Sequence, residues 1–117
     1  MYVMLMKPSD PKYGGPDFQI AKGHVEGGED SKTAALREAF EELGLLSRNI
    51  VSVEYLGEYL GYTHIYYGEI KDRRDFAEPG WETGETMWLN TKEFHAIGRA
   101  IHIPVLDMLL RMLTKRD

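Results

Sequence analysis

The sequence predicts a mixed α/β fold, and three observations carry that prediction. Residues 31–43 set Leu36, Phe40 and Leu43 at the spacing of one helix face. Residues 51–55 alternate Val51, Val53 and Tyr55 with polar neighbours, as a half-buried strand does. The chain has 117 residues, enough for one compact domain spanning 1–117 and not for two.

Taken in order, residues 2–6 read as a buried strand. Pro8, Pro11, Gly14, Gly15 and Pro16 make the next stretch a surface loop. Residues 18–21 form a short strand leading to the first helix. Ser31 can start that helix, because its hydroxyl can accept from an unpaired amide of the first turn. Gly44 can stop it in the left-handed conformation. Ala39 joins Leu36, Phe40 and Leu43 against the core. Two strands follow, around 51–55 and over 63–70, with Gly61 and Tyr62 near the turn. Residues 71–80 are a charged loop, and residues 86–89 are a further strand. Asn90 with Glu93 forms a capping box that opens a short helix ended by Gly98. The last helix starts near Pro104 and buries Leu106, Leu109, Leu110 and Leu113. Lys115 and Arg116 lie at its C-terminal end, where positive charge is favourable.

The first helix carries the chemistry. Glu38, Glu41 and Glu42 fall together three and four residues apart, and like charges at that spacing oppose the helix. Arg37, four residues from Glu41, offsets part of the repulsion. A hard divalent cation would offset far more, since Mg2+ takes carboxylate oxygens and completes its shell with water and phosphate. The loop before the helix is rich in glycine (Gly23, Gly27, Gly28), which lets backbone approach a ligand closely.

Residues 23–45 read GHVEGGEDSKTAALREAFEELGL. Gly23, Glu29, Arg37, Glu38, Glu41, Glu42 and Gly44 are fixed in type and spacing, and Ala39 and Leu45 are aliphatic. With each fixed type used at roughly 6%, chance supplies such a match about once in 10^8 to 10^9 windows. This stretch resembles the signature of the Nudix hydrolases. The resemblance implies an α/β/α sandwich with a mixed sheet and a metal-dependent pyrophosphohydrolase acting on acid anhydrides. Family members usually carry one more strand before residues 2–6. Either the natural start lies upstream, or the sheet is a reduced one whose open edge a second copy would cover as a homodimer.

The resemblance also implies roles. Glu38, Glu41 and Glu42 would hold Mg2+ or Mn2+, with the Lys22 carbonyl nearby. Glu29 would pair with Arg37 as a support. Trp88-Leu89 resembles the Trp-aliphatic pair near the end of the family's sheet. Members often place a further catalytic or metal-binding Glu ahead of it. Glu82, six residues before Trp88, is the choice, with Glu85 the other candidate. The general base would be Glu41 or Glu82.

The opening Lys22-Gly23-His24-Val25-Glu26 resembles the dinucleoside polyphosphate hydrolase branch, which usually has Pro where Ala21 stands here. Lys22, Gly23 and His24 would then contact phosphate. Tyr59 and Tyr62 would face a nucleobase, since a tyrosine in that region marks the branch, and stacking is worth about 1–3 kcal/mol per base. The expected substrate is a dinucleoside polyphosphate such as diadenosine tetraphosphate. A nucleoside triphosphate or an RNA 5′ end is the alternative, and a Nudix-like module that only binds nucleotide is the rival of another class. His64, His95 and His102 are scattered and read as structural.

Composition narrows the rest. The net charge of −5 argues against nonspecific nucleic-acid binding, which depends on neutralising phosphates. With no cysteine, disulfides and thiolate metal sites are excluded. The apolar start MYVMLM is short and lacks a basic leader, and no later run could span a bilayer, so a cytoplasmic protein is expected.

Overall fold

The computed structural model describes residues 2–22, 24–59 and 63–114. The elements run β1 (Tyr2–Pro8), α1 (Ser31–Leu43), β2 (Ile50–Tyr59), β3 (Thr63–Ile70), β4 (Thr83–Asn90), α2 (Thr91–Ile97) and α3 (Ile103–Thr114). Single 3-10 turns at Ser47–Asn49 and Ala100–His102 precede β2 and α3. The fold is mixed α/β, as the sequence predicts. Its residues group into two compact units, one of residues 1–20 and 84–117 and the other of residues 21–83.

In the first unit β1 pairs with β4. The segment expected as a strand at 18–21 makes only two isolated bridges, Met6 with Gln19 and Phe18 with Gly98. Leu5, Phe18, Leu89, Phe94, Val105 and Leu106 bury their side chains here. Leu110 and Leu113, expected in the core, are half-buried, and Val105 is buried in addition. The capping box of α2 is formed: Glu93 N–H donates to Asn90 Oδ1 at 2.9 Å, and Asn90 N–H to Glu93 Oε1 at 3.0 Å. Gly98 ends α2 by taking an extended backbone, and a Cβ there would run into the Phe94 ring. His102, buried in the same unit, accepts the Ile20 N–H on Nδ1 at 3.1 Å.

In the second unit β2 and β3 form an antiparallel hairpin with Tyr55 opposite Tyr66. The helix α1 begins one residue earlier than expected. Asp30, in extended geometry, is the cap, and its carboxylate accepts from Thr33 N–H at 2.7 Å. Ser31 is the first helical residue, and its hydroxyl shares a 2.6 Å hydrogen bond with that of Tyr66. Gly44 does end the helix in the left-handed region (φ 77°), and a Cβ there would also strike the Ala77 carbonyl. The buried face differs from the expectation as well. Ala34 and Glu42 are the buried residues of α1, while Phe40 is 51% exposed. Phe40 and Leu36 instead line an apolar hollow with Leu45, Leu46, Ser47 and Ile50.

Candidate active site

Apart from the alternative Glu85, every carboxylate expected to act lies within the second unit. Glu38, Glu41 and Glu42 sit on α1, and Glu82 sits in the turn ahead of β4. Two hydrogen bonds dock that turn on the last turns of α1. Gly80 N–H donates to the Glu41 carbonyl at 2.6 Å, and Thr83 Oγ1 donates to the Glu42 carbonyl at 2.8 Å. These are carbonyls that a helix end leaves without intrahelical partners. Gly80 is suited to the approach, because a Cβ there would stand 3.1 Å from the Glu41 oxygen. Sequence reasoning missed Gly80 and Thr83. The Pro79-Gly80 pair marks a turn, but nothing in the sequence says where that turn docks.

Arg37 organises the acidic face. Its guanidinium meets Glu29 at 2.8 Å, Glu38 at 2.7 Å, Glu41 at 3.4 Å and Glu26 at 3.5 Å. It also donates to the His24 carbonyl at 2.9 Å, which ties the glycine-rich loop to the helix. Hydrogen bonding from Arg37 holds the Glu29 carboxyl below the usual carboxylate range, helped by the Glu26 N–H at 2.8 Å. Its own pKa is raised, chiefly by Glu29. The expected Glu29–Arg37 pair is thus in place, and Glu38 and Glu41 lean on the same cation.

Glu42 stands apart. It is 8% exposed, and among the described residues its carboxylate forms no ion pair. Its hydrogen-bond partner is the Lys22 N–H, at 3.2 and 3.4 Å from its two oxygens. Burial pushes the Glu42 pKa up to about 7, and the charges of Glu38 and Glu82 push the same way. Taking a carboxylate out of water without a cation favours the neutral acid. A divalent cation would reverse that balance.

The donor set therefore suits a hard divalent cation: carboxylate oxygens on one helix face and one adjoining turn, one of them buried without an ion pair among the described residues. Among the described residues no three His, Asp or Glu side chains stand close enough together to enclose an ion. Glu38 and Glu41 are turned onto Arg37, so holding metal requires that they swing away from it.

The remaining expected residues fall as follows. Lys22 and His24 are exposed on the loop before α1. Tyr59 is half-buried at the end of β2. Gly23 and Tyr62 lie outside the described residues. Glu85 belongs to the first unit.

The NUDIX domain family matches residues 2–113. Solved structures agree on the fold. The chain is similar to a C. elegans Ap4A hydrolase in a binary complex, with a TM-score of 0.74 and 21% identity over 97% of this chain and 88% of that one. It is also similar to RenU, a Nudix hydrolase from M. smegmatis, with a TM-score of 0.67 and 18% identity over 95% of this chain and 76% of that one. Among curated proteins, none matches this chain significantly. The chain belongs to the Nudix hydrolase family and is a pyrophosphohydrolase of that type. No helix among the described residues is long and apolar enough to cross a membrane.

Proposed function

We propose that this enzyme uses Mg2+ or Mn2+ to hydrolyse a diphosphate linked to a nucleoside, with dinucleoside polyphosphates such as diadenosine tetraphosphate as its substrates. The observation that carries the reading is Glu42: a buried carboxylate without a cation, beside Glu38 and Glu82. Glu42 and, once freed from Arg37, Glu38 and Glu41 would hold the metal, which would polarise phosphate oxygens and lower the pKa of water. Lys22 and His24 face solvent on the loop that Arg37 ties down, where a long polyphosphate would meet them. The substrate assignment draws on the Lys22-Gly23-His24 opening and on the likeness to the C. elegans Ap4A hydrolase.

For the general base we favour Glu82 over Glu41. Glu41 is engaged by Arg37 at 3.4 Å, whereas Glu82 rides on a turn fixed to the helix by Gly80 and Thr83. A base must be held within reach of the proton it takes, and this turn supplies a fixed support.

A panel of diadenosine tetraphosphate, dGTP and 5′-triphosphate RNA, each assayed with Mg2+ and with chelator, tests the reading. The expected result is the highest kcat/KM for diadenosine tetraphosphate and no turnover under chelation. A higher value for dGTP or RNA would overturn the substrate, and metal-independent turnover would overturn the site. In the same assay Glu82→Gln should lower kcat by about 100-fold with little change in KM, the usual mark of a lost base.

A further inference from the structure

We propose that Trp81 is a stacking surface for the nucleobase of the substrate, a role that rests on the proposed action on nucleoside-linked diphosphates. Trp81 is 82% exposed, the greatest exposure among the large apolar side chains described. Tryptophan is ordinarily well buried, although a single exposed apolar residue is no signal by itself. Its position is what gives it meaning. It directly precedes Glu82, so the two Cα atoms are about 3.8 Å apart. The two bonds that dock its turn flank it on either side, from Gly80 to the Glu41 carbonyl and from Thr83 to the Glu42 carbonyl. Thr83 N–H also closes the turn onto the Gly80 carbonyl at 3.1 Å.

The backbone beneath Trp81 is therefore fixed to the turn of α1 that carries Glu41 and Glu42, while its indole lies in water. A substrate whose diphosphate lies at these carboxylates extends its ribose and base outward by one sugar's length. Through the cation they would hold, these carboxylates meet only the phosphates, which are common to every substrate of this chemistry. An indole face beside them adds affinity for a flat ring and none for phosphate, because stacking depends on the π-face of the base. The site would thus discriminate nucleosidic from purely inorganic polyphosphates.

The test measures calorimetric binding of two probes to the full chain with Mg2+: adenosine 5′-(β,γ-imido)triphosphate and inorganic tripolyphosphate, which lacks a base. Trp81→Leu should weaken the nucleotide about tenfold or more, the effect of one lost stack, and leave tripolyphosphate binding unchanged. Trp81→Phe, which keeps an aromatic face, should retain the nucleotide within about threefold. The nucleotide should also alter tryptophan emission in the unmodified enzyme but not in Trp81→Leu, where only Trp88 is left to report. Equal weakening of both probes, undiminished nucleotide binding by Trp81→Leu, or failure of Trp81→Phe to restore it would each overturn the inference. If the unmodified enzyme bound neither probe, the diphosphate site itself would fail, an outcome distinct from loss of base discrimination alone.

Discussion

The two compact units are stabilised by different physics. Of the ten apolar side chains buried among the described residues, Leu5, Met6, Phe18, Leu89, Phe94, Val105, Leu106 and Leu109 belong to the unit of residues 1–20 and 84–117. The other two, Ala34 and Ile65, belong to the unit of residues 21–83, whose buried groups include Glu42 and Asn49. Asn49 is fully engaged, donating to the carbonyls of Asp72 and Asp75 and accepting from the N–H groups of Lys71 and Asp72. Glu42 is not. One unit is built on apolar packing. The other spends part of its stability on a buried carboxylate, and it carries the proposed site.

The largest stability change should follow from cutting the apolar unit. Phe94 is completely buried, and Phe94→Ala should cost about 3–5 kcal/mol in urea unfolding. A loss under about 1 kcal/mol would mean that this packing is not what stabilises the unit.

A smaller and opposite change should follow from removing the charge of Glu42. Its carboxyl titrates near 7 in the fold against 4.5 when unperturbed. Between those values the folded chain holds a proton that the unfolded chain has released. Metal-free stability contributed by this group is therefore full below about pH 4.5 and is lost as pH rises to about 7. Glu42→Gln lacks that loss, and at pH 8 in chelator it should be the more stable protein by on the order of 2 kcal/mol. Melts at pH 5 and pH 8 decide it: a difference between variant and parent that does not change with pH would contradict the assignment.

This contrast was only partly legible in the sequence. The acidic face, the end of α1 at Gly44 and the capping box at Asn90 follow from local spacing, which a sequence displays, whereas the Glu29–Arg37 pair was expected only from the resemblance to the Nudix signature. Which face of α1 is buried did not follow. Leu36 and Phe40 have the apolar character of a core stripe, yet the helix buries Ala34 and Glu42, since the burial of each residue is set by what packs on it. The start at Asp30 was displaced by one residue because Asp and Ser are equally good caps, and Tyr66 claims the Ser31 hydroxyl from a distant strand. The docking of Gly80 and Thr83 on α1 joins segments some forty residues apart, and no local pattern announces it.

The smallest change should come from a feature that spacing did reveal. Asn90→Ala removes the reciprocal cap of α2 and should cost about 1 kcal/mol in the same unfolding measurement. Activity should be unchanged, because the residues proposed to act belong to the other unit. A variant that lost turnover while keeping its stability would break the separation of roles drawn here.

In the proposed site the charge of Glu42 is kept for a cation. Titrating Mn2+ at pH 8 while following the electron paramagnetic resonance signal of the free ion tests it directly. The unmodified enzyme should take up Mn2+, and Glu42→Gln, though more stable, should bind it at least about tenfold more weakly, as expected when an anionic ligand is lost. Equal Mn2+ affinity in the two proteins would mean that the Glu42 carboxylate does not hold the ion.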